Sequence, residues 1–132
     1  MPERNFTPDE ANALLPELRP IVEEMVAHRR KLAVAEARHA AVLERISGNG
    51  GDLTPSDLAE LTEEVELHAT ALARCVREIS ARGVQVKDLE RGLVDFPAVR
   101  EGEEVLLCWE LGEDEVAYWH GADDGFAGRQ PL

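Results

Sequence analysis

The 132-residue chain reads as an α+β protein: a long helical hairpin over residues 1–83, then a small, mainly antiparallel sheet of three or four strands with an ordered tail over residues 84–132. Three observations predict it. Apolar residues recur at helical spacing as far as Gly83 and alternate after it. Two capping signatures, each followed by a proline, open the two helical stretches, and a glycine-rich break lies between them. Both Trp, the only Tyr and two of the three Phe fall within residues 92–132, so the bulky side chains that specify packing are concentrated in the predicted sheet.

In chain order, F-T-P-D-E at residues 6–10 announces a helix start, with Thr7 as N-cap, Pro8 at N1 and Glu10 closing a capping box. Pro16 and Pro20 each remove a backbone donor and crowd the preceding turn, which predicts a kink or short break. From Ile21 to about Ile46 the pattern is helical, but its apolar stripe is thin: Arg29, Glu36 and His39 fall near the seam. S-G-N-G-G-D at residues 47–52 is a reversing loop. Thr54 and Pro55 repeat the cap signature, and Leu58, Leu61, Val65, Leu72, Val76 and Ile79 carry a second helix to Gly83, a C′ residue. After a brief alternation at Val84 and Val86, residues 93–99, 104–110 and 115–120 read as strands.

Glu101-Gly102 and Gly112-Glu113 stand where two-residue hairpin turns belong. Those turns set a register with Asp95 opposite Cys108, Phe96 opposite Leu107, Cys108 opposite Ala117 and Leu107 opposite Tyr118. Tyr118 and His120 then share the core face with Phe96 and Trp109, and Trp119 joins Asp95 and Cys108 on a second, half-apolar face. The tail covers that face in this reading, with Phe126 as an apolar plug, Gly125 and Gly128 allowing close approach, and Arg129 paired with Asp95 or Glu110.

The formal net charge of −13 argues against nucleic-acid and anionic-membrane partners. No apolar stretch approaches the length of a membrane span, and no apolar signal region opens the chain, so a cytoplasmic location is expected. Cys75 and Cys108 form neither a disulfide framework nor a CxxC pair and read as reduced, buried thiols.

Four segments, F-T-x-x-E-A-N-x-L-L-P (residues 6–16), G-L-V-D-F-P-A (92–98), L-C-W-x-L-G-E (107–113) and W-H-x-x-x-x-G-F-A-G-R-x-P (119–131), together resemble a bacterial family catalogued only as a domain of unknown function. The resemblance runs end to end and brings no established activity. It points to Glu10, Asn12, Asp95, Cys108, Glu113, His120 and Arg129 as the polar positions to weigh.

Asp95, Cys108, His120 and Arg129 are the leading ligand or metal candidates, because imidazole binds divalent metals, and a guanidinium forks onto anions. Each has a structural alternative: a satisfied histidine at a strand end, an inert buried thiol, an arginine paired within an acidic body. Asp95 opposite Cys108 gives two residues, one short of a metal site. Glu113 is too far along the strand from His120 to share an ion with it, about 23 Å at 3.3 Å per residue. With Glu10 and Asn12, Glu113 is a secondary candidate. A helical alternative uses Glu36 with His39 at i, i+3 and Glu64 with His68 one turn apart, the spacing of di-metal bundles.

Two functions follow. In the first, the protein is an oligomeric interaction or structural protein of the cytoplasm, self-associating as a homodimer or larger assembly through Leu32, Leu43, Leu58, Leu61, Val65 and Leu72 in coiled-coil fashion. In the second, it binds a small-molecule ligand or a divalent metal, or is a small enzyme, with the site in the sheet and tail.

Overall fold

The computed structural model of the protein describes residues 4–48 and 55–132. Helix α1 (Pro8–Ser47) and helix α2 (Pro55–Ala81) pack as an antiparallel pair. Strands β1 (Gln85–Asp88), β2 (Leu93–Arg100), β3 (Glu103–Glu110), β4 (Tyr118–Gly121) and β5 (Gln130–Pro131) follow as one antiparallel meander in chain order. The sheet thus has five strands where three or four were expected. The brief alternation at Val84 and Val86 corresponds to β1, and the addition is the two-residue edge strand β5, too short to show a period.

Thr7 caps α1 as predicted: its hydroxyl accepts from Glu10 N at 3.1 Å, and the Glu10 carboxylate accepts from Thr7 N at 3.0 Å. The break expected at Pro16 and Pro20 does not occur, and α1 runs through both prolines. Two backbone donors are forfeited, but Leu15, Leu18, Val22 and Met25 are all buried on the face that spans the prolines. Burial of four such side chains, at roughly 1.5–3 kcal/mol each, outweighs the loss. The predicted 47–52 loop and the Thr54 cap fall largely outside the described residues. Gly83 ends α2 in the left-handed region at φ 84°.

The core lies where the first half of α1 and the last third of α2 meet the sheet through Val94, Phe96, Ala98, Val105, Leu107 and Trp109. Phe6 closes its end, edge-on to Phe96 at 5.2 Å. Pro97 is tolerated in β2 because β1 pairs only as far as Asp95; beyond that point the Pro97 carbonyl accepts from Phe6 N at 2.7 Å. Away from the sheet the hairpin thins to the weak seam the sequence suggested: Ala35 is buried, while Val34, Leu43, Ile46 and Leu67 are exposed.

The β2–β3 turn has the predicted form, with Glu101 and Gly102 both at positive φ (53° and 81°), and Asp95 faces Cys108 as expected. The β3–β4 connection does not. It is longer than two residues, β4 begins at Tyr118, and the register moves by one: Cys108 pairs with Tyr118, and Leu107 with Trp119. Contacts from α1 cause the shift. Asn12 clamps Val116, accepting from its N at 2.7 Å and donating to its carbonyl at 3.2 Å, and Arg19 donates to the carbonyls of Glu113 and Asp114. The Glu113 carboxylate meanwhile accepts from Glu110 N, and its carbonyl accepts from the Trp109 indole. A local turn preference is overridden by these long-range bonds.

Candidate metal centre

A one-residue slip turns every side chain of a strand to the other face. Trp119 therefore packs against the core, whereas Tyr118 and His120 share the face of Asp95 and Cys108, the reverse of the sequence expectation. His120 reaches across β3 to Asp95. Three consecutive strands now contribute one metal-binding side chain each.

Asp95, Cys108 and His120 are buried, at 2%, 0% and 3% exposure, and their donor atoms all lie within 4.8 Å of one another. His120 Nε2 stands 3.1 Å from Asp95 Oδ2, and Nδ1 stands 2.8 Å from the Gly121 carbonyl. A carbonyl only accepts, so Nδ1 carries a proton and Nε2 is the atom turned toward the carboxylate. The other carboxylate oxygen, Asp95 Oδ1, is buried without a hydrogen-bond partner. Burial pushes the Cys108 thiol up to about 12, the Asp95 charge adds to the rise, and Arg129 partly opposes it. A thiol so held is protonated at neutral pH and is no nucleophile by itself.

Arg129 pairs with neither Asp95 nor Glu110. Its Nη2 donates to both oxygens of Glu113 at 2.8 Å, and its guanidinium carbon lies over Tyr118 at 4.0 Å and over Phe126 at 4.5 Å from the ring centroids. Glu110 is taken by Arg91, which also lies over Phe126. Phe126 lies in a single 3-10 turn (Phe126–Gly128), so the tail folds over the Tyr118 face through Phe126 and Arg129. Gly128 does allow a close approach, a Cβ there lying 2.9 Å from Asp124 Cβ, but Gly125 has open space around it. Arg129 Nε, like Asp95 Oδ1, is buried without a partner; among the described residues these are the two such side-chain atoms.

Residues 4–132 match the model of the DUF2203 family, described as uncharacterized conserved proteins. The chain belongs to that family. No curated protein and no solved structure matches this DUF2203 chain. The secondary candidates have structural roles: Glu10 closes the helix cap, Asn12 holds the β3–β4 loop, and Glu113 is a turn residue bound to Arg129. Within one chain the helical set does not come together: His39 meets Thr62 at 3.2 Å, His68 meets His28, and Glu36 is exposed. One contributor escaped sequence reasoning: the Gly121 carbonyl, which accepts from His120 Nδ1, acts through the backbone and leaves no side-chain signal.

Proposed function

We propose that the protein binds a divalent transition-metal ion through Asp95, Cys108 and His120. The observation that carries this reading is the bare, buried Asp95 Oδ1 in a cluster whose histidine already has Nδ1 tied to a carbonyl, the usual orientation of an imidazole that ligates through Nε2. Charge supports it. A carboxylate and imidazole sharing a proton beside a thiol are neutral together, and so are a carboxylate, a thiolate and a neutral imidazole around a divalent cation. Metal therefore exchanges for two protons without leaving net charge in a buried place. The sulfur, nitrogen and oxygen donors suit zinc, and three of them leave one coordination position. Burial favours an ion that ties β2, β3 and β4 together over a turnover site open to substrate.

Titration with Co²⁺ tests it. A thiolate-to-cobalt charge-transfer band should grow in the near ultraviolet with release of about two protons per ion at neutral pH. Cys108→Ser should abolish the band, and Asp95→Asn and His120→Asn should each weaken binding. Absence of uptake from excess Co²⁺ or Zn²⁺, or uptake indifferent to all three changes, refutes the reading.

A second reading, self-association through the outer hairpin, is favoured by charge. There α1 carries Arg29, Arg30, Lys31, Arg38 and Arg45 against Glu36 and Glu44, while α2 has Asp57, Glu60, Glu63, Glu64 and Glu66 and no cation before Arg74. A two-fold pair that sets each basic α1 on its partner's acidic α2 would also cover Val34, Leu43, Ile46 and Leu67. Light scattering that shows a monomer at tens of micromolar, in low and in high salt, rejects it. A cytoplasmic location belongs to both readings, since both cysteines are free. No helix of the described residues is long and apolar enough to cross a membrane.

A further inference from the structure

Where the hairpin leaves the core, a groove of about 290 Å³ runs between the helices, walled on α1 by Arg30, Lys31 and Arg38 and on α2 by Glu64 and His68. Lys31 and Arg38 stand two turns apart on one stripe of α1, with Arg30 beside Lys31. None of these three cations has an ion-pair partner among the described residues, whereas Arg29, Arg74, Arg82, Arg91 and Arg129 each hold a carboxylate. Acidic partners are plentiful in a chain with 27 acidic residues to 14 basic ones, yet the repulsion among these neighbours goes uncompensated. Glu64 lines the same groove without pairing with any of them.

His68 adds a donor of a different kind. Its Nδ1 stands 3.1 Å from His28 Nδ1, and two imidazole nitrogens that face each other so closely hold one proton between them. Glu24, itself held by Arg74, lies 3.6 Å from His28 Nε2 and draws a proton there. His28 Nδ1 is then the acceptor, and His68 Nδ1 carries the shared proton. His68 Nε2 is left without a protein partner among the described residues.

We infer that this groove binds a compact oxyanion of the phosphate class, free or as the end group of a small organic ester. Arg30, Lys31 and Arg38 supply the charge, and His68 Nε2–H supplies a directed hydrogen bond. Three cations less the Glu64 carboxylate leave two positive charges, the count that a phosphate dianion neutralises. The volume is roughly ten times a water's share of the liquid, enough for a phosphate group that keeps part of its hydration. An anion at Nε2 favours the protonated ring, which donates from both nitrogens and keeps its bond to His28. His28 and Glu24 are thus positioning residues that do not touch the ion. The groove lies between both helices, so an acidic α2 of a second copy seated there would lie along this chain's own acidic α2, where Glu60 and Glu64 stand one turn apart. A compact ion needs only the cations and the imidazole.

Calorimetric titration of the full chain with inorganic phosphate, with a chelator present, tests it. One ion per chain should bind saturably. Arg30→Gln, Lys31→Gln and Arg38→Gln should each weaken binding by roughly three- to tenfold, and Arg45→Gln, which removes an α1 cation outside the groove, should not. Sulfate, a dianion that does not titrate near neutrality, should bind more tightly at about pH 6 than at about pH 8, and His68→Asn should remove that difference. Glycerol phosphate that binds more tightly than inorganic phosphate assigns the groove to the end group of an organic ligand; the reverse order assigns it to the free ion. Three results overturn the inference: no saturable binding at tens of millimolar phosphate, a loss of affinity in Arg45→Gln as large as in the groove variants, or uptake only when a dimer whose second copy fills the groove comes apart. Phosphate binding needs no metal and the cobalt–thiolate band reports the sheet cluster alone, so either site can fail while the other holds.

Discussion

Asn12→Ala removes the side chain that holds the β3–β4 loop in place, and its effect follows from the bonds it makes. Asn12 Oδ1 accepts from Val116 N at 2.7 Å, while Nδ2 donates to the carbonyls of Val116 at 3.2 Å and of Pro8 at 3.1 Å. Val116 is 3% exposed, so alanine strands a buried amide, a loss of about 1–3 kcal/mol, with less for a carbonyl that water can reach from the half-exposed side of Asn12. A net cost of about 2 kcal/mol corresponds to a fall in midpoint of roughly 7 °C for a domain of this size. Urea unfolding followed by tryptophan fluorescence should show the lower midpoint with unchanged slope, and hydrogen exchange should show the Val116 amide losing protection. Asn12→Asp keeps the acceptor but sets a carboxylate oxygen against two carbonyls, so its penalty should shrink as acid protonates it. If Asn12→Ala melts within a degree or two of the parent, α1 does not hold this loop, and the explanation given for the β4 register fails.

Two further outcomes are expected. The Cys108 thiol, pushed up to about 12 in the folded protein, ionises near 9.0 when unfolded; between those values the unfolded state sheds a proton that the folded state keeps. Metal-free stability should therefore fall above pH 9, with Cys108 contributing at most about 1.4 kcal/mol per pH unit; Cys108→Ala should remove that share and leave the smaller slope from the buried Cys75 thiol, also raised. A parent and variant with parallel stability profiles from pH 8 to 10.5 would contradict this. Gly92→Ala should cost about 2–4 kcal/mol, because φ is +68° and the new Cβ would meet Leu111 Cβ at 2.8 Å and Val22 Cγ1 at 3.0 Å. Gly102→Asn, with φ +81° but nothing within 4 Å, is the control that should lose under 1 kcal/mol in the same urea assay.

Most of the fold was legible because its signals are local. The Thr7 cap, the Gly83 terminus and the Glu101-Gly102 turn each depend on a few adjacent residues, and the pairing of β2 with β3 follows from that turn. What the sequence concealed depends on residues about a hundred positions apart. Nothing near Gly112 announces that Asn12 and Arg19 hold the following loop open by one more residue. That one residue decides the site. Asp95, Cys108, His120 and Arg129 could be singled out by type and motif, but the local turn rule sent His120 to the wrong face and left the pair one ligand short. The Arg129 partner was misjudged for the same reason, since Glu113 comes within reach only once the loop is folded back. His28 was missed because its partner lies on another helix, where periodicity says which face a residue occupies and not which residue it meets.

Strands that follow one another in the sheet as they do in the chain need only short excursions to pair, yet the meander is tied to the start of the chain by Phe6 to Pro97 and Asn12 to Val116. On a ribosome the apolar stripe of Leu15, Leu18 and Val22 emerges early and waits for about a hundred more residues before the strands that cover it exist. During that interval the nascent hairpin is a bare amphipathic surface, open to chaperones and to its own kind. The final turns of translation then close both ends of the molecule at once, so an N-terminal truncation past Asn12 and a C-terminal one before Arg129 should leave the same product, a helical pair with an unseated sheet.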